Sequence, residues 1–165
     1  QSAEWILANL IDITAKGGNF QVGYGPMPNG KFDPKAIERL EYVGDWLRVN
    51  GEAIYGSNPW KVYGEYEGEI INEEGVHYTN HSMRIHETEY RYTAKPGTVY
   101  AIAFQQADTP VQLKAFAGFD KKITAVSMLR SDSPIEWSLD ANGLKLTTKD
   151  EVKFNHAAVF KVVHE

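Results

Sequence analysis

From Ala3 to Ile13 the apolar side chains Trp5, Ile6, Leu7, Ala8, Leu10, Ile11 and Ile13 wrap most of a helical wheel, which predicts a largely buried helix. Ser2 can cap its first turn and Gly17 can end it. Asn19 to Tyr24 then lies between Gly17-Gly18 and Gly25-Pro26, a length and punctuation that suit one short strand. A second helix opens with Asp33 as N-cap and Pro34 at the first helical position, where a missing N–H costs nothing. Its apolar stripe is Ile37, Leu40, Val43, Gly44 and Leu47, and it stops at Asn50-Gly51.

Beyond Trp60 the period changes to two. Strands are predicted over Glu89 to Lys95, Thr98 to Gln106, Val111 to Ala117, Ile123 to Leu129, Ile135 to Leu139, Leu144 to Thr148 and Ala157 to His164. Turn signals at Pro96-Gly97, Asp108-Thr109-Pro110, Asp132-Ser133-Pro134 and Ala141-Asn142-Gly143 separate most of them. Short antiparallel strands of this kind stack as a β-sandwich, so the fold class is α+β. Lys61 to His86 mixes Glu, Gly, Asn and His without clear period and reads as an ordered linker with room for one strand. A lone strand between two helices must pair on at least one edge, so the neighbours of Asn19 to Tyr24 are expected from elsewhere. The chain shows no repeat and no low-complexity tract.

Composition narrows the field. Apolar residues make up 42% and charged residues 24%, the balance of a chain that folds around a core. With 165 residues it is too short for a whole (β/α)8 barrel, which takes roughly 250. Seventeen Lys and Arg against 22 Asp and Glu give a net charge of -5, which leaves no basic face for a phosphate backbone and argues against nucleic acid. No run of 18 apolar residues is present, so no membrane span is expected. The absence of cysteine removes disulfides, thiolate nucleophiles and thiolate metal sites, and leaves the redox compartment open. Gln1-Ser2-Ala3-Glu4-Trp5 has neither an initiator Met nor a basic leader, and reads as a processed or truncated start.

Candidate chemistry is thin when read from spacing. Gly23-x-Gly25 invites a dinucleotide-binding reading, but the third glycine position is Pro28 and the helix opens only at Pro34. His77, His81 and His86 with Glu87 could hold a metal. On an extended strand, however, His77 and His81 would stand about 13 Å apart, too far to share an ion, so ordinary surface histidines are the simpler reading. Glu65, Glu67 and Glu69 alternate, with neighbours about 6 to 7 Å apart, a separation that glycosidase carboxylates also use. In so polar a stretch they read as solvated surface. Asn80-His81-Ser82 is a glycosylation triplet that matters only in a secreted chain. Trp5, Trp46, Trp60 and Trp137 could be sugar platforms, but core packing is the simpler role for Trp46 and Trp137. There is no Gly-x-Ser-x-Gly elbow, and no catalytic machinery emerges from spacing alone.

Longer motifs say more. Leu10-Ile11-Asp12-Ile13-Thr14-Ala15-Lys16-Gly17-Gly18-Asn19-Phe20, with Gly25-Pro26 and Asn29-Gly30 after it, resembles the last barrel strand of glycoside hydrolase family 29, the α-L-fucosidases. Gly44-Asp45-Trp46-Leu47-Arg48-Val49-Asn50-Gly51-Glu52-Ala53-Ile54-Tyr55-Gly56 and Pro59-Trp60 are similar to that family's final barrel helix and the exit to its C-terminal sandwich. Tyr92-Thr93, Thr98 to Ile102, Ile135 to Ser138 and Gly143 to Leu146 resemble its sandwich strands in the same order. The resemblance implies a terminal α-β-α piece of a (β/α)8 barrel in residues 1–60, followed by an antiparallel β-sandwich in residues 61–165.

The resemblance further implies a retaining exo-glycosidase acting on terminal α-L-fucose without metal or organic cofactor, in which an Asp attacks the anomeric carbon and a second carboxylic acid protonates the leaving oxygen. Both carboxylates would belong to earlier barrel strands, so the chain is expected to be inactive by itself. Its implied partners are a fucosylated glycan and an upstream barrel segment or companion chain, with self-association as another way to cover the helix faces. The family favours a periplasmic or secreted setting. Strand alternation puts Phe20, Val22 and Tyr24 on one face and Asn19, Gln21 and Gly23 on the other. With the apolar face against the helices, Gln21 and Gly23 are the candidates to approach the sugar, and Tyr24 and Met27 would sit at the rim. Family members commonly carry Asn where this chain has Gly23, and losing that amide would widen the pocket. Two rival readings are a non-catalytic β-sandwich module that binds carbohydrate or a partner protein, and an unfamiliar enzyme using Glu65 to Glu69.

Overall fold

A computed structural model describes residues 1–66, 69–71, 90–104, 110–148 and 157–165. The first helix, α1, spans Ala3–Ala15, with the Ser2 hydroxyl accepting the Trp5 N–H at 3.2 Å as its cap. The second, α2, spans Pro34–Asn50, with Asp33 accepting the Lys35 N–H at 2.8 Å and proline in the first turn. Both caps fall where the sequence puts them. Gly51 does not turn the chain sharply away: it stays right-handed and leads into a 3-10 turn, Gly51–Ala53.

The strands are β1 (Asn58–Tyr66), β2 (Glu69–Ile71), β3 (Tyr90–Lys95), β4 (Thr98–Ala103), β5 (Val111–Leu113), β6 (Ile123–Met128), β7 (Ile135–Asp140), β8 (Gly143–Thr148) and β9 (Ala158–His164). Six of them form an antiparallel sheet in the order β2-β1-β3-β4-β9-β6, and three form a second sheet, β5-β8-β7. Between the sheets lie Tyr92, Val99, Ala101, Leu113, Phe116, Leu144, Leu146, Phe160 and Val162. The other face of the large sheet is covered by the helices, through a second core of Ile6, Leu7, Ile11, Val43, Trp46, Tyr100, Ile102, Phe104 and Val159. The molecule is therefore layered helices, large sheet, small sheet. Val99 to Ala103 of β4 are all buried, because adjacent residues point into different cores. Trp46 plays the core role expected of it, and its indole N–H donates to the Ala157 carbonyl at 2.7 Å.

Several expectations give way to the structure. Asn19 to Tyr24 forms no ladder, because a strand exists only through its neighbours and none of the described strands pairs with it. The one strand for which the stretch from Lys61 had room is present as β1, but it begins three residues earlier, at Asn58. The strand expected through Ala117 stops at Leu113 and becomes a 3-10 turn, Lys114–Phe116. The cause is Glu65. It is 1% exposed, not a surface residue, and its carboxylate accepts the N–H of Ala115 at 2.6 Å, the N–H of Lys114 at 3.1 Å and the hydroxyl of Tyr92. Donors that a strand would spend on a ladder are turned inward to a buried anion. Trp137 is 38% exposed, because β7 is the outer strand of the small sheet. On α2, Val43 is buried but Ile37 and Leu40 are 45% and 47% exposed, so only part of the expected stripe meets the sheet.

Burial and the Glu65 charge push the Tyr92 hydroxyl well above its ordinary value, and burial pushes Tyr90 and Tyr100 up to about 12. Glu52 contributes to the Tyr100 shift and is itself held low by Lys161, whose ammonium lies 2.8 Å away. Above pH 10 the unfolded chain ionises Tyr90, Tyr92 and Tyr100 while the native chain keeps these three protonated, so stability present below pH 10 is lost as pH rises towards 12. The urea midpoint is expected to fall across that window, and the share of tyrosinate absorbance that Tyr90→Phe, Tyr92→Phe and Tyr100→Phe remove is expected to appear together with loss of ellipticity rather than before it. Glu65→Leu leaves two backbone N–H groups and the Tyr92 hydroxyl without their acceptor, and is expected to cost about 3 kcal/mol or more in urea unfolding.

Candidate functional site

The last turn of α1 delivers the chain into the segment that carries the candidate residues. The Gly17 N–H donates to the Thr14 carbonyl at 2.9 Å and the Gly18 N–H to the Ile13 carbonyl at 2.8 Å, which close the helix. Gly17 has a φ of +76°, and a Cβ there would lie 2.9 Å from Pro59 Cγ at the start of β1. Both facts require glycine.

Residues 18–27 then run without ladder hydrogen bonds. Phe20 meets Trp5 edge-on, with ring centroids 6.5 Å apart, and Tyr24 is half-buried against the same helix-side core. Gln21, Val22 and Gly23 between them are exposed. Phe20 and Tyr24 thus turn inward as alternation requires, but Val22 does not follow them. Gln21 and Gly23 face open space, and a Cβ at Gly23 would meet nothing within 4 Å. Met27 is half-buried and opens a tight loop: its N–H donates to the Lys31 carbonyl at 2.8 Å, its carbonyl accepts the Gly30 N–H at 2.8 Å, and Asn29 Oδ1 accepts the Lys31 N–H at 3.0 Å. Gln21, Gly23, Tyr24 and Met27 therefore lie on one continuous strap between the two helices. Phe32, Ile37 and Leu40 are bare at the strap's exit.

Beneath the origin of the strap is an ionic cluster that spacing did not predict. Asp12, 1% exposed, accepts Arg91 Nε at 2.6 Å and Lys16 Nζ at 3.0 Å. Arg91 comes from β3, and its Nη1 also donates to the Tyr90 carbonyl at 3.1 Å. The guanidinium carbon lies 5.3 Å from the Phe104 ring centroid and 5.9 Å from that of Tyr63, and Lys16 Nζ is 4.8 Å from the Tyr63 centroid. A signal existed in the lone Asp12 within an apolar helical run, and in its spacing to Lys16. Nothing local names Arg91 as the partner.

Other candidates separate. Among the described residues no three His, Asp or Glu side chains converge as a metal site. His77, His81, His86 and Glu87, the Asn80-His81-Ser82 triplet, and the side chains of Glu67 and Glu69 lie outside the described residues. Glu65 is consumed by its internal hydrogen bonds. No described helix is long and apolar enough to cross a membrane.

The helix pair over a two-sheet sandwich is shared with the C-terminal part of solved α-L-fucosidases. The chain aligns over its whole length with α-L-fucosidase isoenzyme 1 of Paenibacillus thiaminolyticus, with a TM-score of 0.75, 18% identity and 35% of that chain covered. It aligns equally fully with a GH29 α-L-fucosidase of Bacteroides thetaiotaomicron trapped as a covalent intermediate with 2-fluoro-fucosyl fluoride, with a TM-score of 0.73, 15% identity and 33% of that chain covered. In sequence, residues 1–52 match the α-L-fucosidase family model. The human tissue α-L-fucosidase is 32% identical over 135 residues, 82% of this chain. The chain belongs to the α-L-fucosidase family, glycoside hydrolase family 29, and corresponds to its C-terminal part. It spans about a quarter of the length of the curated relatives it matches, 25% for the human enzyme.

Proposed function

We propose that residues 1–60 form the end of a catalytic (β/α)8-type barrel, that residues 61–165 are the sandwich packed against it, and that together with upstream barrel strands they hydrolyse terminal α-L-fucose from glycans with retention. The observation that carries this reading is the strap at residues 18–27, which has no ladder partner among the described strands and leads to the bare Phe32, Ile37 and Leu40. Adjacent barrel strands and helices are the cover such a strap and such a face call for.

In this reading Gln21 and Gly23 face the sugar, with Tyr24 and Met27 at the rim of the pocket. The exposed positions of Gln21 and Gly23, and the empty space at Gly23, favour it. The nucleophilic and acid/base carboxylates come from upstream, about 5 to 5.5 Å apart as retention requires. The covalent intermediate of the Bacteroides relative supports retention. This chain's part is to wall one side of the pocket and hold it against the sandwich.

An aryl α-L-fucoside assay tests the assignment. The 165-residue chain alone is expected to be inert, and activity is expected when the barrel segment is present. Turnover by the chain alone sinks the proposal, and glycan binding without hydrolysis in any combination turns the reading to a non-catalytic sugar-binding module. In the active enzyme, Gly23→Asn is expected to change kcat/KM by about ten-fold, the worth of roughly one hydrogen bond, with no loss of thermal stability. An unchanged kcat/KM removes Gly23 from the pocket.

A further inference from the structure

The ion pair between Asp12 and Arg91 is more elaborate than attachment of a helix requires. Ile6, Leu7, Ile11 and Ala15 of α1 are already buried, and a buried ion pair adds little net stability over apolar packing of the same volume. What a short, directional contact adds is a fixed position. Asp12 holds the last turn of α1 twice, through its carbonyl, which accepts the Lys16 N–H at 3.1 Å, and through its carboxylate, which accepts Lys16 Nζ. The strap begins six residues later, at Gly18.

The sheet, in turn, is shaped around Arg91. Gly64 of β1 lies opposite Arg91 in the ladder, and a Cβ there would come within 2.7 Å of the Tyr90 carbonyl oxygen and 3.0 Å of Arg91 Nη1. Any larger residue would displace the guanidinium. Tyr90, Phe104 and Tyr63 restrict it further. A rigid path therefore runs from β3 through Arg91 and Asp12 to the exit of α1, reinforced where Gly17 abuts Pro59.

We propose that Arg91 and Asp12 are positioning residues for the fucosidase site: the sandwich, through this pair, sets where the strap with Gln21, Gly23 and Tyr24 lies against the sugar. The inference rests on the assignment of those three residues made above. Neither Arg91 nor Asp12 touches substrate; each acts through the strap. Misplacing a pocket wall by about 1 Å can cost on the order of a hundred-fold in rate.

The test uses the enzyme with its barrel segment present and compares Arg91→Met, Arg91→Lys, Asp12→Asn and the Asp12→Asn/Arg91→Met double variant. Glu65→Gln, inside the sandwich, serves as a control for simple destabilisation. Three readouts are taken: kcat and KM on an aryl α-L-fucoside, the thermal midpoint, and amide hydrogen exchange across residues 18–24 and across β4 and β9. Arg91→Met and Asp12→Asn are each expected to lower kcat/KM by about ten-fold to a hundred-fold and to speed exchange in 18–24 alone. The double variant should lose less than the product of the two single losses, because both singles break the Asp12–Arg91 contact. Arg91→Lys should recover part of the loss, and the Glu65→Gln control should keep kcat/KM. The proposal is overturned if the variants lose thermal stability as the control does while kcat/KM and exchange in 18–24 stay unchanged. If Arg91→Met does not fold, Asp12→Asn decides, and an unaltered kcat/KM in that variant overturns the proposal. Faster exchange in 18–24 with intact kcat/KM removes Gln21, Gly23 and Tyr24 from the sugar, and overturns the site assignment together with this inference.

Discussion

The structure depends on one constraint: the central strands of the large sheet, β4 and β9, have no face turned to water. Its central strands bury Val99 and Ala101 against the small sheet, and Tyr100 and Ile102 against the helices. A sandwich sheet ordinarily spends polar residues on its outer face. Here that face carries aromatic and branched side chains, so α1 and α2 are required as its cover. The same requirement keeps both ends of the strap over that face, since it joins the two helices.

Apolar contact holds the layers together but says little about their register, and two buried carboxylates supply what it leaves open. Glu65 joins β1 and β3 of the large sheet to the turn that follows β5 of the small one, by accepting two backbone N–H groups and a tyrosine hydroxyl. Asp12 joins the helix layer to β3 by accepting from Arg91. One pin thus lies on each side of the large sheet, and adjacent residues of β3, Arg91 and Tyr92, reach to opposite sides to engage them. A buried charge leaves little freedom of arrangement, because any slip strips it of donors. Together the two pins set the stacking of three layers.

The helices were legible in the sequence because their termini are written locally: Ser2, Gly17, Asp33 and Pro34 act within a turn of where they stand. Most strands were legible from period two and their turn residues. The end of β1 was not, because Gly64 and Glu65 have the composition of a surface loop, while their roles, a slot for a guanidinium and a buried acceptor, are set by β3 and by a turn some fifty residues on. The apolar stripe of α2 was right as a helix signal but did not say which neighbour each residue meets; Val43 faces the sheet, while Ile37 and Leu40 do not. The candidate site was legible as a segment, through glycine punctuation and family motifs. The Asp12–Arg91 pair beneath it was not, since the two residues are 79 positions apart and only the fold brings them together.

Two-sided burial also bears on how such a protein can evolve. A recombination breakpoint near residue 60 looks natural on paper, since helices lie before it and strands after. A cut there would leave Tyr100, Ile102, Phe104 and Val159 as a greasy plate open to solvent, and would orphan a guanidinium. Ancestral shuffling that moved this sandwich to a new host would have had to carry the helix pair as luggage, so the unit of inheritance is wider than the unit of architecture.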